Sequence, residues 1–444
     1  MTPHLIEIQD RSICIRNAGD VVARSPGFVS IAGDKPVFGD AALEQARLNP
    51  RFSFNHFWSQ LSLDSLPFKS KHFRHTADMA YSHLDSMTRP LGIEHGAVLA
   101  VPSNYTRSQL GVLLGLIKQC AFEPVGLVDL ALLQAAASNA NDCIVIDLQL
   151  HQAVLSRFVR SGGHLIKDRV VPVPFAGLLA LQDAWINMVC EEFVRQSRFD
   201  PRQNAEAEQY VANHLRRWMA QSASGLDMLA EINLKGSVHQ AHLTHEQFEL
   251  RVQPLFARIN AELNELRHPD SALHVATSQV GLPGLMRCIP ALIALDDDLV
   301  AANSLQHLGA IKRPGDNLQF VTRLPLASTA ATTGTASGVQ SRIPTHVVLQ
   351  HRAIALPAGK LTFGTPAVAA GSARIVPVDT SLFSGAISLQ RGARGVLLEL
   401  QGTTSVLCNG KPAADGQTLL IGDRLQLGDT NGLELQMIVV EQAT

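Results

Sequence analysis

The chain has 444 residues, 46% hydrophobic and 17% charged, with a net charge of −2. That length is enough for about three domains, and the near-neutral balance gives no electrostatic basis for binding nucleic acid or an anionic membrane. Six cysteines lie far apart with no C-x-x-C pair, so neither a zinc site nor a disulfide framework is expected. No basic-then-apolar leader opens the chain, and no apolar run reaches the roughly 18 residues that span a bilayer. The expectation is a cytoplasmic protein without membrane insertion.

Residues 5–16 alternate around a polar Gln9-Asp10-Arg11-Ser12 and predict a strand-turn-strand hairpin. Ala97–Pro102 is a continuous apolar run of the buried-strand type. Ser103–Phe122 then carries Leu110, Leu113, Leu114, Ile117 and Cys120 on one helical face. Pro124–Val128 reads as a second short strand, 130–138 as an alanine-rich helix and Cys143–Asp147 as a third strand. This alternation argues for an α/β layer.

The middle, 177–268, reads as mostly helical, with Leu178–Arg198 and Asn204–Ser224 separated at Asp200-Pro201. Ile232–Leu243 reads as a strand. Thr244 then opens a helix, with Gln247 completing a capping box. Leu273–Thr277 reads as a buried strand, and Gly281–Ala294 as the start of a helix. His239, His242 and His245 do not form a metal site, because a strand sends His239 and His242 to opposite faces. Residues 325–345 are rich in Ser, Thr, Ala and Gly and read as a flexible linker. Beyond them, short alternating runs with turn signals at Asn409-Gly410 and Gly422-Asp423 predict an all-β sandwich. The expected division is 1–324, the linker 325–345 and 346–444.

The stretch Ile144–Ser156 has the outline of a phosphate-binding hairpin. Apolar residues lead to Asp147, the chain turns, and a second apolar run returns. A turn that wraps phosphate needs glycine, because side chains keep backbone N–H groups away from the anion. Here Gln149, Leu150 and His151 fill it.

Four further segments occur in a telling order: Val37-Phe-Gly-Asp-Ala-Ala42 with Asn49-Pro50, Val98-Leu-Ala-Val-Pro-Ser-Asn-Tyr-Thr-Arg-Ser-Gln109, Asp200-Pro-Arg202, and Val275-Ala-Thr-Ser-Gln-Val-Gly-Leu-Pro283. With the two hairpins they resemble, over residues 5–310, the seventy-kilodalton heat-shock chaperone family of the actin-like ATPase superfamily. The resemblance implies an α/β fold of two lobes around a cleft, each built on a ribonuclease-H-like sheet. It places Glu7, Ile8, Gln9, Asp10 and Arg11 at the family's first phosphate hairpin, and Asp147 through Gln152 at the second. Phe57 falls at the active-site lysine, Asp129 at the cleft glutamate, and Thr277-Ser278 at the adenosine-side glycines.

The resemblance thus implies a degenerate site. Its nucleotide-site remnants are Gln9, Asp10, Arg11, Gln149, Leu150, His151, Thr277 and Ser278, and its vestigial catalytic candidates are Asp147, Asp129 and Glu7. Gln149, Leu150 and His151 would fill the space of the β- and γ-phosphates. Losing several donors, at roughly 3–4 kcal/mol each, removes most of the acceleration of phosphoryl transfer. No cofactor is expected. The competing reading is a divergent ATPase that holds ATP and magnesium with Asp147, Asp129 and Glu7.

Cys408-Asn-Gly410, Gly422-Asp-Arg-Leu-Gln-Leu-Gly428 and Ile387-Ser388-Leu389-Gln390-Arg391 resemble a forkhead-associated (FHA) domain. The resemblance implies a recognition surface of loops carrying Thr365, Ser388, Arg391, Thr404 and Asn409. Ser388 matches that family's serine, but Thr365 stands where its arginine lies and Thr404 where its asparagine lies. Loss of the arginine weakens charge-assisted phosphate recognition, so a phosphate-independent contact module is expected, with a phosphothreonine reader as the alternative. Together these readings predict a non-catalytic adaptor or scaffold that binds protein partners through its body and its FHA-like part.

Overall fold

The computed structural model describes residues 2–223, 228–312 and 318–326, and in the C-terminal part 344–349, 352–356, 360–364, 374–377, 386–391, 396–401, 406–409, 411–419, 423–428 and 433–438. Most of the expected linker, 327–343, lies outside the described residues, as do Thr365 and Thr404. By its internal contacts the chain divides into Met1–Thr329 and Ala330–Thr444.

The first unit is mixed α/β. Strands β1 (His4–Glu7), β2 (Ile13–Asn17), β3 (Asp20–Ser25), β4 (Ala97–Val101) and β5 (Pro124–Asp129) form one sheet in the order β3-β2-β1-β4-β5. β1, β2 and β3 are antiparallel neighbours, whereas β4 and β5 run parallel to β1. Strands β6 (Asp142–Leu148), β7 (Gln152–Ser161), β8 (His164–Pro174), β9 (Ala272–Ala276) and β10 (Leu292–Leu295) form a second sheet in the order β8-β7-β6-β9-β10. The same directions recur there: β6, β7 and β8 antiparallel, β9 and β10 parallel to β6. The short strands β11 (Phe320–Val321) and β12 (Arg323–Pro325) extend the first sheet at β5 and the second at β8.

Helices α1 (Thr76–Thr88) and α2 (Arg107–Ile117) cover the first sheet, and their apolar faces share a core with Ile6, Ile15, Leu99 and Leu127. α2 starts at Arg107, later than the apolar period suggests, because Thr106 and Gln109 complete a capping box there. The buried residues of α3 (Leu130–Ala135) pack into a cluster that draws on both sheets, including Val98 and Val128 of one and Val145 and Phe158 of the other. Helices α4 (Leu178–Ser197), α5 (Ala205–Ser222) and α6 (His245–Leu266) cover the second sheet.

Two expected elements are corrected. The expected strand Ile232–Leu243 is a hairpin, Met228–Leu234 paired with Ser237–Leu243, because Lys235 and Gly236 both take positive φ (51° and 84°) and turn the chain between them. The expected helix Gly281–Ala294 is instead a four-residue helix Leu285–Cys288 followed by β10. Pro283, Gly284 at φ 82° and Pro290 interrupt helical continuity there.

The described residues of the second unit are all-β. A six-stranded and a five-stranded sheet contribute to one apolar core, with Val347, Leu425 and Leu435 from the first and Phe363, Ile387 and Leu398 from the second. Among the described residues of the whole chain, no helix is long and apolar enough to cross a membrane.

Candidate functional site

The β1–β2 turn and the β6–β7 turn meet. Leu150 donates its backbone N–H to Asp10 Oδ1 at 2.8 Å. Gln9 Nε2 donates to Asp147 Oδ1 at 3.3 Å, and Gln149 Nε2 donates to Asp147 Oδ2 and to Asn104 Oδ1, both at 3.1 Å. Arg11 Nε donates to Gln9 Oε1 at 2.7 Å. Six of the expected site residues (Gln9, Asp10, Arg11, Asp147, Gln149 and Leu150) are therefore tied into one contact.

That contact is well packed. The Leu150 side chain is buried with Phe28 and Ala42, against Ala46 and Leu179. His151 Nε2 lies 3.0 Å from the carbonyl of Asn55, and its ring stacks on His56 at 3.6 Å. The turn carbonyls are occupied as well. Gln149 O and Leu150 O accept the N–H groups of Leu178 and Leu179 at 2.8 and 2.9 Å, which satisfies the free donors at the start of α4 where Gly177 offers no capping side chain. Gly177 is required for this approach, since a Cβ there would lie 2.6 Å from Leu150 O. Gly27 is required on the other side, where a Cβ would fall 2.0 Å from Asp10 O.

Burial sets the electrostatics. It raises the Asp10 carboxyl to about 6, with the Leu150 and His151 N–H groups acting against it and Asp147 adding to it. Burial also raises Asp147, opposed by Arg11 and Gln149. Burial lowers His151, and lowers His56 to about 4 with the neighbouring His151 contributing.

The other two catalytic candidates are engaged elsewhere. Asp129 caps α3, accepting the N–H groups of Ala131 and Leu132, and takes the Ser103 hydroxyl at 2.5 Å and Lys167 Nζ at 2.7 Å. It is fully buried, so it acts as a helix cap and ion-pair partner. Glu7 accepts Arg16 Nε at 2.7 Å, and burial raises its carboxyl despite that pair. Arg16 is itself only 2% exposed and continues to Asp298 Oδ1 at 2.6 Å and Asp297 O at 3.2 Å. Ser278 donates its N–H and hydroxyl to Asp297, both at 3.1 Å, and Thr277 donates to Leu295 O. Phe57, at the position of the family's lysine, is buried in the core of the first sheet beside Trp58.

The turn does not fill the whole space between these walls. A cavity of about 770 Å³ remains, lined by Glu7, Gln9, Arg11, Arg24, Ser278 and Asn213 among others. Gln149, Leu150 and His151 are not part of its lining; they are turned into the packed contact instead. Beside the cavity Arg47 pairs with Asp183, with Glu208 at 2.6 Å, and through its N–H with Gln209 at 2.8 Å.

Arg16, Arg24, Arg47, Asn55 and His56 escape the sequence reading. Only Arg16 gives a signal, as a charge that closes the apolar run Ile13-Cys14-Ile15. In the second unit, Ser388 was expected on a loop surface. It lies buried within the strand Ala386–Arg391, its hydroxyl 2.9 Å from that of Thr362. Asn409 is exposed and holds Asp423 and the N–H of Arg424. No protein-family model matches the chain, and no curated protein is significantly similar to it.

Proposed function

We propose that this chain is a non-catalytic adaptor or scaffold of the cytoplasm, built on a degenerate actin/heat-shock-like ATPase fold with an FHA-like sandwich. The fold reading is supported by the repetition of one strand order and one set of strand directions in both sheets of the first unit, as a duplicated ribonuclease-H-like pair of lobes requires. One observation carries the functional reading: the Leu150 N–H, at the turn where such an ATPase presents amides to phosphate, is consumed by Asp10 within the chain. A donor already paired and buried gives nothing to a transition state. Asp129 and Glu7 are likewise committed to Lys167 and Arg16.

The molecule then works by contact. The two-lobed body and the sandwich offer separate surfaces to protein partners, and the covalent connection raises the effective concentration of the second contact. Recognition by the sandwich is independent of phosphate in this reading, consistent with the burial of Ser388.

Titration with Mg-ATP tests the proposal. A functional site at a hundred times its dissociation constant would stabilise the fold by about 2.7 kcal/mol. The expected result is no Mg-dependent thermal shift at millimolar ATP and no phosphate release above background. A Mg-dependent shift with turnover would overturn the reading.

A further inference from the structure

We infer that the 770 Å³ cavity binds an organic oxyanion carried on an apolar body, and that guanidinium groups rather than a metal hold it. The inference rests on the reading above, in which the phosphate turns are spent. The cavity volume falls within the range of about 300–1,000 Å³ typical of small-molecule sites.

Cross-strand register puts Glu7 opposite Cys14, and Cys14 opposite Arg24, so the three side chains share one face of the sheet, and all three line the cavity. Five arginines line it in all: Arg11, Arg16, Arg24, Arg47 and Arg216. Arg16 and Arg47 are saturated by carboxylates. Arg24 makes one weak contact, 3.8 Å to Cys14 Sγ. Arg216 lies on α5 and has no ion-pair partner among the described residues. Arg11 donates through Nε to Gln9. Three guanidiniums without a salt bridge thus meet three such carboxylates, Asp40, Glu44 and Asp297, in the same lining, and of these Asp297 is already held by the N–H and hydroxyl of Ser278.

The donor set favours an oxyanion. A guanidinium offers a planar fork of N–H groups that matches a phosphate, sulfonate or carboxylate in bidentate fashion. Phe28, Met219 and Leu282 supply apolar wall for the rest of the ligand. Among the described residues no group of three or more His, Cys, Asp or Glu is placed to hold a metal ion, so the anion's charge falls to the arginines.

The test uses the intact chain in EDTA, with 1-naphthyl phosphate, 1-naphthol and 1-naphthylmethylammonium as probes in calorimetry and thermal-shift assays. The phosphate is expected to bind and raise the melting temperature, with naphthol at least about tenfold weaker. Arg24→Glu combined with Arg216→Glu is expected to weaken the phosphate at least about tenfold. Both side chains are exposed, and the unliganded melting temperature of the variant, measured alongside, separates loss of the site from loss of the fold. No binding of the phosphate at millimolar concentration, preference for the ammonium probe through Asp40 and Glu44, or unchanged affinity in the double variant would each overturn the inference. Mg-ATP run in parallel separates the two proposals. Mg-dependent stabilisation with turnover sinks the adaptor reading, while inert Mg-ATP with inert naphthyl phosphate sinks this one alone.

Discussion

The backbone N–H of Leu150 reaches the Asp10 carboxylate at 2.8 Å across 140 residues of sequence. The bond joins equivalent turns of two sheets that share one strand order. A glycine turn at this place would leave amides free for an outside anion. Leu150 directs its amide at an internal carboxylate and its side chain into an apolar contact, so one residue serves both ends.

Leu150→Ala should therefore destabilise the first unit. Truncating a buried leucine costs about 2–5 kcal/mol. Among the described residues the cluster around Leu150 has two other buried members, Phe28 and Ala42, which places the expected loss near the lower end, about 2–3 kcal/mol. Urea unfolding measures it. A change within about 0.5 kcal/mol would mean that the packed contact between the turns does not hold the fold.

Asp10 should make the fold respond to acid in an unusual direction. Its folded value of about 6 stands above the ordinary 3.8. The folded chain therefore takes up a proton before the unfolded chain does. The stability this contributes is fully present below about pH 3.8 and is lost as pH rises through about 6, with a ceiling of about 3 kcal/mol. Asp10→Asn should remove that dependence. Urea midpoints at pH 4.5 and pH 7, compared between the two proteins, check it: parallel shifts in both would rule out Asp10 as the source.

His83 acts in the opposite sense. Its Nδ1 accepts the Trp58 indole N–H at 3.1 Å, so Nε2 carries the proton and donates it to Ser25 Oγ at 2.7 Å. The ring also stacks on Phe38 at 5.2 Å and is fully buried. Burial lowers its value to about 4 from 6.5. Its contribution is present above about pH 6.5 and lost as pH falls through about 4. A nitrogen-15 NMR titration should find the His83 ring in the Nε2–H form down to about pH 5. A midpoint near 6.5 would show that the ring is open to water.

What the sequence discloses depends on the range of the interaction. Leu178–Ser197 and Ala205–Ser222 are legible because one apolar face repeats over five turns and Asp200-Pro201 interrupts it. The capping box at Thr244 and Gln247 is legible for the same local reason. β7 and β8, the long hairpin from Gln152 to Pro174, extend well past the apolar run that signals them, since only five of the ten residues of β7 and two of the eleven of β8 are buried. The proximity of Asp10 and Asp147 follows from the paired hairpin motifs. The partners of Arg47 and Arg16, 161 and 282 residues away, leave no trace in local pattern. For the same reason Asp129 resembles a cleft carboxylate on the page, although its oxygens are taken by the helix that follows it and by Lys167.

Arg16 offers the sharpest separation of pairing from burial. Its guanidinium is 2% exposed and its Nε lies 2.7 Å from Glu7 Oε1, so removing it strands a carboxylate that is 14% exposed. Breaking such a pair from one side costs about 3–5 kcal/mol, whereas replacing both partners with neutral groups of similar shape is often near neutral. Arg16→Met alone should thus be severe, and Arg16→Met with Glu7→Gln should recover most of the loss. The recovery will be incomplete, because Asp298 and the Gly19 carbonyl also lose the guanidinium. The coupling energy in a double-mutant cycle measures the pair itself. A double variant as unstable as Arg16→Met would show that the arginine supports the fold through Asp298, and that Glu7 is a bystander in the wall of the cavity.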